Sequence, residues 1–387
     1  MKKIIILAVT AFIIIFSVPA LDYGLILSQG VEGGGILDRS TYTMETGINY
    51  KGNLITRFSH LFGNSGELYA SAGLAFNHEH DNYPVPELLR TEFSWRWNGL
   101  KFTAGRMQYT APLEYVANGL FDGFQASYAT DKGTFYTGLW YTGFLFKRSS
   151  NIAITLDDSI SYYDAVDYNN FVNTYFASRR LVTAIGWEHP AIAQIVRAKA
   201  TFIQQIDLNY RDGHLHSRYF TARAGISVRN LLFELGGVFQ MADSDNDSGT
   251  NFTFDMGVYW DIPFFFPSRI SFTGYFSPED EKKPLGKFIP INAKPLGEIE
   301  ELPVTGITMF TLEYTARIFS SFSFTVGTSY YMLNTLSKAV EYGFFLNNEF
   351  YTRLIWSPAS DWQFNLGGGI ALPGSWKITI GAVLALL

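Results

Sequence analysis

Asn251-Phe-Thr-Phe-Asp-Met-Gly-Val-Tyr-Trp-Asp-Ile262 alternates without interruption. Phe252, Phe254, Met256, Val258, Trp260 and Ile262 fall on one side, and Asn251, Thr253, Asp255, Gly257, Tyr259 and Asp261 fall on the other. Successive side chains of a β-strand point to opposite faces, so this segment is a strand with one oily and one polar face. Leu89, Thr91, Phe93, Trp95 and Trp97 alternate with Arg90, Glu92, Ser94 and Arg96 in the same way. So do Phe322, Phe324, Val326, Tyr330 and Met332 with Ser321, Ser323, Thr325, Gly327 and Ser329. No 3.6-residue period competes with this pattern outside the loops.

Working outward gives eighteen segments, from 375–386 at the C-terminus back through 304–318, 134–147, 121–130 and 100–109 to 53–62 and 40–51. Each reaches the roughly 9–11 residues that a tilted strand needs to cross hydrocarbon. Gly52 then reads as a short turn, and 22–30 is set aside as a nineteenth strand because bacterial barrels have even strand counts. Sixteen strands is the alternative if one edge is misread. The connections alternate in length. Short ones, such as Asn98-Gly99 and 229–230, take turns with long ones at 80–86, 110–120, 148–177, 242–249, 278–303 and 334–343. The expected fold is an all-β, antiparallel, up-and-down transmembrane barrel.

Composition agrees with that expectation. The chain has 387 residues, 47% hydrophobic and 17% aromatic, with 17% charged and a formal net charge of -6. A ring-rich, charge-poor chain is not disordered, and its acidic balance argues against a nucleic-acid binder. It has no cysteine, which excludes disulfides, thiolate chemistry and a lipoprotein anchor. Lys2 and Lys3, the apolar run Ile4 to Phe16, and Val18 and Ala20 at a small-residue exit read as a secretory leader over 1–20. Residues 21–387 then form one barrel domain, and losing Lys2 and Lys3 takes the net charge to -8.

The last strand resembles the barrel-assembly signal of outer-membrane proteins, through Thr379, Gly381, Leu384 and Leu386, with Leu386 standing where that family carries an aromatic. The resemblance implies insertion by the barrel-assembly machinery. Phe102-Thr-Ala-Gly-Arg-Met-Gln-Tyr109, followed by Gly119-Leu-Phe-Asp-Gly-Phe-Gln125, is similar to the Gly-Arg strand and hairpin of alginate-export and carbohydrate-selective porins.

In hydrocarbon every backbone polar group must be paired, so strands can cross only as a closed barrel. Barrels of 16–18 strands leave an aqueous channel. The expected function is therefore a porin-like outer-membrane channel for passive diffusion of small hydrophilic solutes. The alternatives are a channel for hydrophobic or carbohydrate solutes, and a surface adhesin or structural barrel. Its partners are outer-membrane lipid, the assembly machinery and small solutes, with monomer and homotrimer both open.

Polar-face parity aims Arg90, Arg96, Lys101, Arg180, Arg197, Lys199, Arg223, Arg269, Arg317, Arg353 and Lys377 inward. The inward acids are Glu92, Asp207, Glu234, Asp255, Asp261, Glu313 and Glu349. Eleven bases against seven acids make a lumen near +4, which allows at most a mild anion preference. The competing expectation is a mixed lumen that screens by size alone. Arg106 stands apart: Leu100, Phe102 and Ala104 set a lipid-facing parity that Arg106 shares. Either a bulge at Gly105 turns it inward or it sits at the interface.

Two histidine pairs, His78/His80 and His214/His216, have same-face spacing but lie at loop ends, where a solvated role is expected. Asp243, Asp245 and Asp247 open like a calcium loop, but Ser248 and Phe254 occupy the positions that need Gly and Glu. No G-x-S-x-G, Walker or H-E-x-x-H motif is present, so neither an enzyme nor a cofactor is expected. Loop 148–177, with six aromatic residues, is the expected lumen constriction. Loop 278–303, with six acids, is expected as a solvated lid or adhesive surface, and 21–36 is the one candidate plug.

Overall fold

The computed structural model describes residues 22–38, 43–78, 83–209, 214–263, 266–292, 295–335 and 345–386. The expected leader and His80 lie outside the described residues.

Eighteen antiparallel strands form one sheet in chain order. The first six are β1 (Asp22–Asp38), β2 (Thr43–Phe62), β3 (Gly66–Asn77), β4 (Val85–Trp97), β5 (Leu100–Thr110) and β6 (Asn118–Thr130). Next come β7 (Gly133–Tyr141), β8 (Arg180–Ile192), β9 (Val196–Asp207), β10 (Leu215–Val228), β11 (Leu231–Ser244) and β12 (Ser248–Ile262). The last six are β13 (Ser268–Ser277), β14 (Ile307–Phe319), β15 (Phe322–Leu333), β16 (Phe345–Ala359), β17 (Trp362–Leu372) and β18 (Ser375–Leu386). The first strand pairs with the last from Leu25↔Leu386 to Gly35↔Trp376, so the sheet closes on itself.

The count of eighteen holds, but two of its parts change. Residues 22–30 belong to β1, paired on both edges, so the described part of the candidate plug, 22–36, is wall and not plug. Gly52 is no turn: it lies inside β2, opposite Gln29, and the segments expected at 40–51 and 53–62 are one strand of 20 residues.

Alternation sorts the faces as the sequence implied. Phe102 and Phe124 stack on the outer surface, as do Trp356 and Phe364. Such cross-strand ring pairs contribute roughly 0.2–1 kcal/mol each. Trp95, Trp97, Trp260, Trp356 and Trp362 gather at the short-turn end and Trp376 at the long-loop end, where ring girdles meet a membrane interface.

One hairpin leaves the wall. The ladder of β4 with β5 ends at Thr91↔Arg106, and that of β6 with β7 ends at Asp122↔Tyr141. Above that level β5 and β6 pair only with each other, up to Thr110↔Asn118. Gly105 is the hinge. Its φ of +115° suits glycine, and a Cβ there would stand 2.2 Å from the Thr91 carbonyl oxygen. The hairpin tip, 111–117, crosses the lumen: the Tyr115 ring meets Tyr275 on β13 at 4.5 Å, and Leu113 lies over Gly236 on β11.

The connection 278–306 also folds inward. Phe288, Ile291, Leu296, Leu302 and Val304 are buried with Leu113, Val116 and Ala117 of the tip. Against them pack inner-face residues of the wall, including Trp140, Val182, Ile203, Tyr219, Val238, Tyr275 and Tyr331. The barrel thus has an apolar core inside its lumen, at the loop end and against one part of the wall. This corrects the expectation of a solvated acidic lid over 278–303.

Candidate functional site: the narrowed lumen

Side-chain clamps fix the two inward loops to the wall and to each other. The Asn292 amide donates to the Asn118 carbonyl oxygen at 2.7 Å and accepts from the Asn118 N–H at 2.9 Å. Gly119 makes room for it, since a Cβ there would lie 2.7 Å from Asn292 Nδ2. Gln240 does the same for the backbone of Ile289, joined by the Tyr219 hydroxyl, which donates to the Ile289 carbonyl at 2.6 Å. The Tyr275 hydroxyl donates to the Val304 carbonyl at 2.5 Å.

Glu349 is the strongest anchor. Its carboxylate accepts the backbone N–H groups of Glu298 at 2.9 Å, Ile299 at 3.3 Å and Glu300 at 2.9 Å, and the Tyr331 hydroxyl at 3.3 Å. Gly297, at φ +94°, lets the chain curl around it. Glu349 is 0% exposed, so it points inward as its parity predicts but does not line the passage. Its work is to hold 297–300.

Arg106 is also corrected. It lies on the side of β5 opposite Met107 and Tyr109, with the parity of Phe102, and its register with β6 is unbroken. It is nevertheless buried, because the segment after β7 passes over it. Nε and Nη2 donate to the two oxygens of Asp122 at 2.8 Å each, Nη2 donates to the Phe144 carbonyl at 2.8 Å, and Nη1 donates to the Leu88 carbonyl. An outward charge at mid-wall costs a few kcal/mol if it faces lipid; here it is paired and covered instead.

Loop 142–179 closes the wall where the hairpin has left it. A helix over Leu156–Tyr163 starts at a Thr155/Asp158 capping box. The Asp158 carboxylate meets Arg180 at 2.5 Å, and Arg180 lies 3.4 Å from Asp207, all three buried. Burial works against the Asp158 charge. The Arg180 guanidinium, the Ser178 hydroxyl and the Thr155 N–H outweigh it and hold the carboxyl below the ordinary range. Arg180 is thus an anchor and not a lumen base, and this loop seals the wall while 111–117 and 278–306 narrow the lumen.

Most expected lumen bases face water but are neutralised by neighbours. Arg90 pairs with Glu92, Arg197 with Glu234 at 2.5 Å, Lys199 with Glu188 at 3.4 Å and Arg269 with Asp261 at 2.6 Å. Lys51 and Lys377 share Glu32, at 3.2 and 3.1 Å. Arg96, Lys101 and Arg317 stand near the turn end and have no ion pair among the described residues. Glu32 and Glu188, absent from the sequence tally, are matched there by Lys51 and Arg57, so the excess persists but most of it is held in ion pairs.

Below the inward loops lies a chamber of about 370 Å³. Glu114 and Tyr115 come from the hairpin tip and Glu298 from the second loop, while Arg223, Asp255, Tyr259, Glu313, Tyr351 and Arg353 come from the wall. Arg353 is held by Glu313 at 2.6 Å and Glu298 at 3.6 Å, and Arg223 pairs with Asp255. Burial raises the Tyr115 phenol to about 12, so it stays neutral. Four acids face two bases here, which offsets the basic excess elsewhere in the lumen and leaves no basis for the expected anion preference.

Among the described residues, no group of three potential ligands converges as a metal site. His214 and His216 stack at 5.7 Å, and His216 Nδ1 accepts the Asp207 N–H. Asp243 pairs with Arg218 at 2.9 Å.

Solved structures share this overall fold. Pseudomonas aeruginosa OccK2 (OpdF), in complex with glucuronate, matches with a TM-score of 0.63 at 8% identity, over 95% of this chain and 96% of that one. The chain has a porin-like β-barrel fold. This porin fold is shared with P. aeruginosa OpdO, with a TM-score of 0.62 at 11% identity over 95% and 97% of the two chains. A BenF-like porin from Pseudomonas fluorescens Pf-5 matches at 0.59 and 7% identity, over 95% and 99%. No family model and no curated protein sequence matches the chain.

Proposed function

We propose that this chain is an outer-membrane channel through which small hydrophilic solutes diffuse passively, without chemistry or cofactor. The observation that carries the reading is the contrast inside one lumen. Arg197, Lys199, Arg269 and Arg353 face inward and are still about half exposed, which requires water beside them. Tyr219, Tyr275 and Tyr331 also face inward and are sealed under the loops. Water therefore passes beside the plug and not through it, against the inner faces of β18, β1–β3 and the turn-end half of β17. Those faces carry Asn53, Asn365, Lys377 and Thr379 together with the small Gly30 and Gly367.

Selectivity is by size with little charge preference, because the pairs above leave few free charges at the narrow level. Thr379 and Gly381 face the lumen side and Leu384 and Leu386 the outer side of the closing strand, the arrangement expected of an assembly signal read from a strand edge. Swelling of proteoliposomes in isosmotic sugar tests the reading. Pentoses should enter faster than hexoses and disaccharides more slowly still; a folded barrel that admits none of them favours the adhesin or structural reading.

A further inference from the structure

The departure of the β5–β6 hairpin leaves a window in the wall. Its sill is the Arg106–Asp122 pair, level with Thr91 and Ala70, below the outward Leu74 and Phe76 of β3. It therefore opens at the depth of the apolar outer belt. One jamb is the free edge of β4, whose carbonyls at Pro84, Pro86 and Leu88 find no strand partner. Side chains cap all three: Tyr168 on Pro84 at 2.5 Å, Tyr175 on Pro86 at 2.7 Å, and Arg106 on Leu88. The covering loop holds itself together by its own bonds, including Ala177 N–H to the Leu145 carbonyl and the Phe146↔Phe176 bridge. Among the described residues, no backbone hydrogen bond joins that loop to β4.

Behind the cover, on the lumen side, is a cavity of about 360 Å³. Ile55, Leu74, Phe76, Leu89 and Phe146 make its apolar side, and Lys51, Glu87 and Arg148 its charged side. Outside it, the cover presents Phe144, 60% exposed, to the surroundings of the outer wall. A sheet ladder separates only by breaking a row of backbone bonds, which hydrocarbon makes prohibitive. A joint made of two tyrosine hydroxyls, one guanidinium, the Glu87–Ser149 hydrogen bond and the Val85–Phe146–Tyr175 contact separates by rotamer changes.

We propose that this window is a lateral portal, through which small uncharged apolar solutes pass between the cavity and the outer leaflet. It is a side branch of the polar passage, since Asn53 lines both, and it adds a lateral exit at the wall. Polar solutes are excluded from it by the lipid outside, and apolar ones are drawn to its outer mouth by Phe144 and past the apolar side of the cavity formed by Ile55, Leu89 and Phe146.

The test uses the absence of native cysteine, so that a Val85→Cys/Phe146→Cys pair can be oxidised without competitors. The probe is an uncharged naphthylamine dye entering outer-membrane vesicles with lipopolysaccharide in their outer leaflet. Oxidation should slow dye transfer by at least about tenfold by removing a minor open state, and reduction should restore it. Single-channel conductance should be the same in both states, so failure of the portal is distinct from failure of the polar channel. Equal dye rates in the oxidised and reduced protein would overturn the proposal. If thiol titration shows that the pair does not cross-link, Tyr168→Phe/Tyr175→Phe decides. Losing two hydrogen bonds should speed dye transfer about fivefold or more, and an unchanged rate would overturn the portal equally.

Discussion

Arg106 on β5 and Asp122 on β6 face each other through two parallel 2.8 Å hydrogen bonds, at the level where both outer edges of their hairpin lose their strand partners. Below this pair the hairpin is wall; above it the hairpin is the partition of the lumen. The same guanidinium reaches the strand left behind, at the Leu88 carbonyl, and the segment that replaces the hairpin, at the Phe144 carbonyl. One side chain thus joins four parts of the fold.

Removing it should be costly. Arg106→Ala leaves a half-buried Asp122 and two carbonyls unpaired, and breaking such a pair costs about 3–5 kcal/mol. Urea unfolding in detergent should show that loss. Asp122→Asn keeps one acceptor and should lose less.

Gly105→Ala places a methyl group 2.2 Å from the Thr91 carbonyl, at a φ that disfavours any side chain. The clash is with backbone, so neither strand can yield without losing ladder bonds. The fraction of folded, heat-modifiable barrel on unboiled gels should fall well below that of a Gly47→Ala control, where a Cβ meets nothing within 4 Å.

Glu349→Gln should loosen the 278–306 loop without unfolding the barrel. An amide NH2 in place of one carboxylate oxygen turns its donors towards backbone N–H groups, at about 1–3 kcal/mol for each group left unsatisfied. Larger and noisier current steps are expected, with thermal unfolding little changed.

The Asp158 anchor predicts an acid response. Its folded pKa is lowered, so the stability it contributes is fully present above the unfolded aspartate value of about 3.9 and is lost as pH falls through the lower folded value. Protease cleavage within 142–179 should stay slow from neutral pH to about pH 4 and rise only below that. Asp158→Asn should be cleaved quickly at every pH.

Alternation made the barrel legible because lipid and water impose a strict two-fold sorting on each strand. The same parity puts Arg197, Lys199, Glu313 and Arg353 on the polar face, where each pairs with an opposite charge. Gly52 and the run Gly33 to Gly35 were misread because β1 and β2 are longer than a span requires, and glycine there carries no alternation to read. The inward loops were missed for a different reason. In 278–306 the acids Glu279, Asp280, Glu281, Glu298, Glu300 and Glu301 dominated the reading. Phe288, Ile289, Ile291, Leu296, Ile299, Leu302 and Val304 were the signal that an external loop had something to bury against. Arg106 kept its outward parity, and the exception lay in the chain that covers it, which no local pattern reports.

Single-channel recording addresses the central claim most directly, comparing the native chain with one whose hairpin tip, 111–117, is replaced by a two-residue turn. Native protein in a planar bilayer should open in discrete steps, with a reversal potential near zero in a salt gradient, and the shortened hairpin should give larger steps of the same near-zero selectivity. A folded native barrel that passes no current, or a shortened hairpin that leaves the step size unchanged, would contradict the account of a water-filled lumen narrowed by this hairpin.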